Sequence, residues 1–196
     1  YAPEALDISV EPLDPGRIRP ARFVGISVPM HTALRLGVRA VERVREMNPG
    51  CHISFYGLYA ILNAEYLLDR FADSVIGGEF ESALVALVQD LEAGGTGDIE
   101  GVMRRGHPAR PVLERLRFAL PSRTGLPPLK KYARIERDGE RGLVGYVEAS
   151  RGCLHQCLHC PIPPVYGGRF FVVPSEIVLA DIRQLGDDKR PPKGQL

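Results

Sequence analysis

The sequence predicts an α/β protein whose N-terminal module is a doubly wound parallel sheet. Strand-like and helix-like segments alternate over residues 1–92, which is the pattern of βαβ units. Of the 196 residues, 44% are hydrophobic and 25% are charged, a balance typical of a globular chain of one large or two small domains. No run approaches the ~20 consecutive apolar residues of a membrane-spanning helix, which argues against an integral membrane protein.

The elements of this first module follow from two kinds of periodicity. Short runs rich in β-branched residues predict buried strands, because such runs pack on both faces of a parallel sheet. These strands are expected at 23–28, 51–56 and 74–76. Apolar residues spaced three or four apart predict amphipathic helices after each strand. These helices are expected at 32–47, 58–70 and 81–92.

The loops that follow the strands are the candidate ligand-binding segments of this module. In parallel sheets, ligands bind beyond the carboxyl ends of the strands. The loops here are residues 29–32, Gly57 with Leu58, and Gly77-Gly78-Glu79. Glycine allows a backbone to approach a ligand closely, although ordinary turn chemistry is the more frequent reason for a Gly-Gly pair. The chain has no G-x-G-x-x-G dinucleotide motif and no P-loop.

Charge and composition divide the rest of the chain. Residues 1–100 carry 8 Arg and 15 acidic residues, hence a net −7, whereas residues 104–141 carry 11 basic and 4 acidic residues, hence +7. The segment 93–141 is also rich in Gly and Pro, which disfavours long helices and central strands. We therefore predict a basic linker at 93–141, between a module at 1–92 and another at 142–196. No aromatic platform accompanies the positive charge, so nucleic acid is not an expected partner.

Three of the four cysteines lie in one stretch of eight residues inside the last module. A strand predicted at 143–149 leads into Cys153, Cys157 and Cys160, which are spaced C-x3-C-x2-C. The neighbouring Gly152 and prolines predict a loop, and a loop can direct three thiolates at one centre. Thiolates select zinc or iron–sulfur clusters over hard cations. The spacing therefore predicts a metal site.

The fourth ligand decides which metal binds. A structural zinc site needs four ligands, and His155, His159 or Cys51 could complete the set. A cluster held by three thiolates instead leaves one iron free to bind a small molecule. A disulfide framework is the third alternative, and it ranks lowest because pairing two of the three clustered cysteines leaves an odd thiol.

The cysteine loop and its flanks resemble the radical S-adenosylmethionine (SAM) family. The resemblance rests on residues 150–160 and on residues 167–182, which are similar to that family's passage into its first barrel helix. Residues 75–81 resemble the end of the cobalamin-binding domain that precedes the barrel in one subgroup, and residues 126–128 are similar to its proline-rich approach to the barrel. Within the subgroup, residues 161–169 look most like maturases of ribosomally made peptides with a CUAEP-type tail.

The resemblance implies a Rossmann-like cobalamin-binding module followed by the start of a (β/α) radical SAM barrel. It implies that Cys153, Cys157 and Cys160 hold a [4Fe–4S] cluster whose open iron binds SAM, and that reductive cleavage of SAM yields a 5′-deoxyadenosyl radical. Cobalamin would carry a methyl group or tune the radical step. His159 stands where the family usually has an aromatic residue near the SAM adenine. The residues expected to line the cobalamin site are Gly57, Gly77, Gly78 and Glu79.

The same resemblance implies a peptide or small-molecule substrate, a flavodoxin- or ferredoxin-type electron donor and a cytoplasmic location. The chain extends only 36 residues beyond Cys160 (196 minus 160), whereas a barrel needs on the order of 200 residues. The stretch 186–196 is polar and contains proline where a second barrel strand is expected, and by the same resemblance we expect the first strand and helix of the cobalamin module to be missing. We therefore expect a fragment or truncated relative of a longer enzyme. The alternative is a non-catalytic zinc module with three cysteine ligands and one histidine.

Overall fold

The computed structural model describes residues 3–95, 97–114, 117–132 and 134–187, which form two compact units. The α/β unit comprises Asp14–Leu116 and Gly152–Phe170. The hairpin unit comprises Tyr1–Leu13, Arg117–Arg151 and Phe171–Leu196. The cysteine loop thus belongs to the same unit as the parallel sheet, and the predicted three-domain division stays a prediction. Residues 188–196 of the predicted polar tail lie outside the described residues.

One sheet forms the centre of the α/β unit. Its strands are β1 (Phe23–Ser27), β2 (His52–Tyr56), β3 (Ser74–Ile76) and β4 (Val102–Met103), in the order β1-β2-β3-β4. The first three strands are parallel and β4 is antiparallel to β3. The predicted α/β fold with a parallel sheet is therefore confirmed. The sequence did not predict β4, because a two-residue strand has no measurable periodicity.

Helices cover both faces of this sheet. They are α1 (Pro15–Ile18), α2 (His31–Met47), α3 (Leu58–Leu62), α4 (Ala64–Arg70), α5 (Glu81–Glu92) and α6 (Ile162–Tyr166). On one face, a Cβ built on Gly37 of α2 would lie 2.9 Å from Ile26 and 3.0 Å from Phe55, so this helix packs closely on β1 and β2. On the other face, Leu87 of α5 packs against Ile76. Coverage on both faces explains why the strands are continuous apolar runs. Of the helices in the described ranges, none is long and apolar enough to cross a membrane.

The helix predicted at 58–70 is broken at Asn63. Asn63 has φ −120° and ψ 23°, and it separates α3 from α4. Its side-chain Nδ2 donates a 2.7 Å hydrogen bond to the carbonyl of Tyr59. Such side-chain-to-backbone bonds compete with regular helix geometry. The apolar periodicity continues through the break, so the sequence pattern did not indicate it.

The hairpin unit contains β5 (Arg134–Arg137), β6 (Glu140–Leu143), α7 (Ser175–Asp187) and a 3-10 turn at Leu129–Lys131. β5 and β6 are antiparallel, with Arg137 opposite Glu140. The two residues between them, Asp138 and Gly139, both have positive φ (53° and 79°), as a type I′ turn requires. This hairpin lies inside the predicted linker. Asp-Gly is a strong hairpin signal, so the sequence offered the means to predict it.

The strand predicted at 143–149 is wrong in its bounds. Only Leu143 belongs to a strand, and residues 144–149 have no regular structure. Pairing resumes in β7 (Ser150–Gly152), which pairs with β8 (Phe170–Val172). A strand needs a neighbour that supplies hydrogen-bond partners, and within the described residues no strand is paired with 144–148.

A buried ion pair attaches the predicted linker to α7 within the hairpin unit. Asp181 is only 3% exposed. It accepts hydrogen bonds from Arg123 Nε at 2.6 Å and from Arg123 Nη2 at 2.7 Å. Nη2 also donates to the carbonyl of Tyr146 at 2.7 Å. This bidentate geometry is the strong form of an arginine–carboxylate interaction, so Arg123 has a structural role that a solvated linker would not need.

Tyr132 makes the alkaline stability of the hairpin unit dependent on pH. Its hydroxyl donates a 2.8 Å hydrogen bond to Asp7 Oδ2. Burial raises the pKa of Tyr132 to about 12, with further contributions from that hydrogen bond and from the charges of Asp7 and Glu11. Because the folded-state pKa is above the ordinary value of 10.0, the stabilisation is complete below pH 10.0 and is lost as the pH rises through about 12.

Tyrosinate absorbance tests this expectation. The difference between the titration curves of the wild type and Tyr132→Phe should have its midpoint at about 12. Asp7→Asn should lower that midpoint, because it removes the negative charge beside the phenol. A difference curve centred near the ordinary tyrosine value would contradict the assignment.

Candidate metal centre

Cys153, Cys157 and Cys160 lie on the loop between β7 and α6, as the sequence predicts. All three thiols are unpaired, Cys157 is exposed, and the other two are half-buried. No disulfide would therefore have to break before these sulfurs bind a metal. Three thiolates on one loop are soft donors, and the set fits zinc or an iron–sulfur cluster.

Close backbone approaches shape this loop. The N–H of Cys153 donates a 3.0 Å hydrogen bond to the carbonyl of Arg169. Gly152 has φ +74°, and a Cβ there would collide with the same carbonyl, so the position requires glycine. Gly168 has φ +84°, and a Cβ there would lie 2.6 Å from Nε2 of Gln156. The contacts with Arg169 bring together the two ends of the segment 152–169, which contains the cysteine loop and α6.

The three thiols are not gathered around a common point. Over the ranges that the structure describes, no group of three His, Cys, Asp or Glu side chains has the geometry to hold a metal ion. Cys153 Sγ accepts a 3.5 Å hydrogen bond from the N–H of His155, and the N–H of Cys160 donates to the carbonyl of Cys157 at 3.1 Å. The side chains of His155 and His159 are exposed.

The segment that follows the cysteine loop packs against a helix of the α/β unit. α6 packs against α3, the helix that begins directly after Gly57. Val165 and Tyr166 of α6 are buried. The guanidinium of Arg169 donates a 3.4 Å hydrogen bond to the carbonyl of Leu113. The cysteine loop therefore lies at the carboxyl end of the sheet, where parallel sheets bind their ligands.

The residues predicted to line a cobalamin site lie at this same end. They are Gly57 after β2, and Gly77, Gly78 and Glu79 after β3. All four are buried. Gly57 has φ +102°, a conformation that favours glycine, and a Cβ there would make ordinary 3.4 Å contacts with the backbone of Val28.

The space beside the Gly-Gly pair is filled by the chain itself. A Cβ on Gly77 would lie 2.5 Å from the Cβ of Ile61. Gly78 has φ +69°, and a Cβ there would collide with the carbonyl oxygen of Val112. Glu79 is 0% exposed, and its N–H donates a 2.7 Å hydrogen bond to that same carbonyl. The two glycines are therefore explained by packing within the α/β unit.

Sequence reasoning missed the residues that pack against Gly77, Gly78 and Glu79. Tyr166, whose hydroxyl donates a 3.2 Å hydrogen bond to Glu79, is 87 residues away from it in the chain. Ile61 and Val112 lie on a helix and in the predicted linker. No local pattern connects such distant positions, so a single sequence offers no signal for them.

Comparisons with known proteins place the fold. No family model and no curated protein matches the chain. Two solved structures of TsrM from Kitasatospora setae, a radical S-adenosylmethionine methyltransferase, share its fold over 84% of the chain. The structure with tryptophan substrate and the SAM analogue aza-SAM is 20% identical with a TM-score of 0.65. The structure with cobalamin and a [4Fe–4S] cluster is 18% identical with a TM-score of 0.58. The chain spans about a third of the length of those chains, 34% and 35%.

Proposed function

We propose that this chain is the cluster-bearing part of a radical SAM enzyme, with Cys153, Cys157 and Cys160 as the ligands of a [4Fe–4S] cluster. The observation that carries the proposal is the position of the loop. Three unpaired thiols within eight residues lie on a segment docked at the carboxyl end of a Rossmann-like sheet. The likeness of fold to TsrM, whose structure holds such a cluster, supports it.

The chemistry of the donor set fits the cluster, and binding it requires the three thiols, which are not gathered around a common point, to turn toward one. Three thiolates are the ligands that leave one iron of a [4Fe–4S] cluster open for SAM, and Cys157, which is exposed, is accessible to incoming iron. A cluster of this kind, when reduced, supplies the electron that cleaves SAM to methionine and a 5′-deoxyadenosyl radical. The loop's own residues orient the site, since Gly152 and Gly168 bring its ends together. His159 is exposed next to Cys160, and we assign it to the SAM adenine.

Cobalamin enters this proposal through the likeness of fold and through the resemblance of residues 75–81 to a cobalamin-binding domain. Gly77, Gly78 and Glu79 are buried by the chain's own residues, so they offer no free surface to a corrin ring in this structure. These residues therefore do not fit cobalamin in this structure. The substrate that we propose is a peptide or a small molecule, as in the peptide maturases that residues 161–169 resemble. An electron donor of the flavodoxin or ferredoxin type would reduce the cluster.

Anaerobic reconstitution of the purified chain with iron and sulfide tests the proposal. We expect about four irons per chain and, in the reduced sample, an electron paramagnetic resonance (EPR) spectrum that shifts when SAM is added. His155→Ala combined with His159→Ala should still take up iron, because neither imidazole is a cluster ligand. Uptake of about one zinc and no iron by the wild type would overturn the proposal in favour of a structural zinc site. Loss of the cluster in the double variant would overturn the three-cysteine ligand set.

A further inference from the structure

Glu79 is a fully buried carboxylate that directly follows the Gly-Gly pair at the end of β3. Its side chain is 0% exposed, and its Oε1 accepts a 3.2 Å hydrogen bond from the hydroxyl of Tyr166, which is itself only 9% exposed. Burying a carboxylate is costly unless hydrogen bonds compensate for the lost water. The hydrogen bond from Tyr166 supplies part of this compensation.

The contacts of Glu79 join two segments that are distant in the chain. Its backbone N–H bonds to the carbonyl of Val112, while its side chain bonds to Tyr166 on α6. Tyr166 lies only six residues after Cys160, and the buried Val165 beside it packs within the same unit. A short helix thus links the last cysteine of the loop to Glu79, a buried residue at the carboxyl end of the sheet.

We propose that Glu79 is a positioning residue for the cysteine loop, acting through its hydrogen bond to Tyr166. The pair fixes α6, and with it Cys160, relative to the carboxyl end of the sheet. Glu79 therefore acts on the loop rather than on a cofactor that would bind directly to the glycine turn. That the pair holds the loop in place is argued from contacts within the α/β unit. Its effect on SAM binding rests on the proposed function.

Hydrogen exchange of the chain without metal tests the fixing of the loop. Tyr166→Phe keeps the ring in its pocket and removes only the hydroxyl, so exchange in peptides covering 153–170 should rise about fivefold. Glu79→Gln keeps an acceptor oxygen for the Tyr166 hydroxyl and should stay closer to wild type than Glu79→Met, which removes that acceptor. The double variant Glu79→Met with Tyr166→Phe should not exceed Glu79→Met, because that single variant already loses the bond between the two residues.

Tyr146→Phe is the matched control, because its side chain is 78% exposed. It should leave exchange in the loop unchanged. Equal exchange in Tyr166→Phe and wild type would overturn the proposal. An equal rise in β2 would also overturn it, because the pair would then stabilise the whole unit rather than position the loop.

Spectroscopy of the reconstituted chain tests the consequence for SAM. Tyr166→Phe should bind as much iron as the wild type, because all three thiols remain, but its EPR shift on adding SAM should differ in size or in g values. An unaltered shift would overturn the positioning role. If the wild type takes up no iron at all, the proposed function fails while the hydrogen-exchange result still decides whether the pair holds the loop.

Discussion

Replacing Cys157 with alanine is expected to abolish iron uptake by the reconstituted chain. Cys157 supplies one of three thiolates on the loop, and because its side chain is exposed, the substitution opens no cavity in the core. Two thiolates and water cannot hold a four-iron cluster firmly. Iron should therefore fall from about four per chain in the wild type to less than about one. Iron and sulfide analysis after anaerobic desalting, together with the visible absorption of the cluster, measures the change.

Cys51→Ala is the matched control for this prediction. Cys51 is the only other cysteine, it is 2% exposed, and it directly precedes β2 in the core. Burial raises the pKa of its thiol and so disfavours the thiolate that a metal requires. The variant should keep the full iron content. Iron retained by Cys157→Ala, or lost equally by Cys51→Ala, would show that the ligand assignment is wrong.

Replacing Arg123 with alanine is expected to destabilise the hairpin unit strongly. Asp181 would remain at a site where only 3% of the residue is exposed, with neither of its two guanidinium hydrogen bonds. Leaving a buried charge without its partner costs roughly 3–5 kcal/mol. The bond from Arg123 to the carbonyl of Tyr146 would be lost as well. Urea unfolding followed by circular dichroism should show a clear fall in the midpoint.

Arg141→Ala provides the comparison within the same unit. Arg141 lies 3.6 Å from Glu136 across the β5–β6 hairpin, but the two side chains are 73% and 65% exposed. Exposed pairs contribute little, because water and salt screen them. The urea unfolding midpoint of Arg141→Ala should match that of the wild type within error. Equal midpoints for Arg123→Ala and Arg141→Ala would refute the structural role of the Arg123–Asp181 pair.

Local patterns predicted the strands that contain an apolar run and the helices in which a helical periodicity continues over several turns. The strands β1 to β3 and the helices α2 and α5 each have a run or a periodicity long enough to recognise, and the structure confirms them. The break at Asn63 escaped because one side-chain hydrogen bond decides it. The strand expected at 143–149 failed for the opposite reason. Its residues favour extended structure, but pairing depends on a neighbour that the pattern cannot reveal.

The same distinction applies to the candidate site. The sequence spacing places Cys153, Cys157 and Cys160 on one loop, as the structure has them, and their binding of a metal stays a prediction. The position of that loop could not be predicted, since it depends on contacts such as the one between Glu79 and Tyr166. For the Gly-Gly pair the sequence left both a ligand and an ordinary turn open, and the structure places neighbouring protein atoms beside Gly77 and Gly78.

The close approach of Gly77 and Ile61 has a consequence for anyone who builds chimeras from this chain. A Cβ built on Gly77 would lie 2.5 Å from the Cβ of Ile61, an atom that alanine also possesses. Trimming position 61 therefore makes no room for a side chain at position 77, and the two backbones must be inherited from one parent. A crossover between positions 61 and 77 would combine segments that had never been fitted to each other. Shuffled libraries should keep this stretch intact as one block.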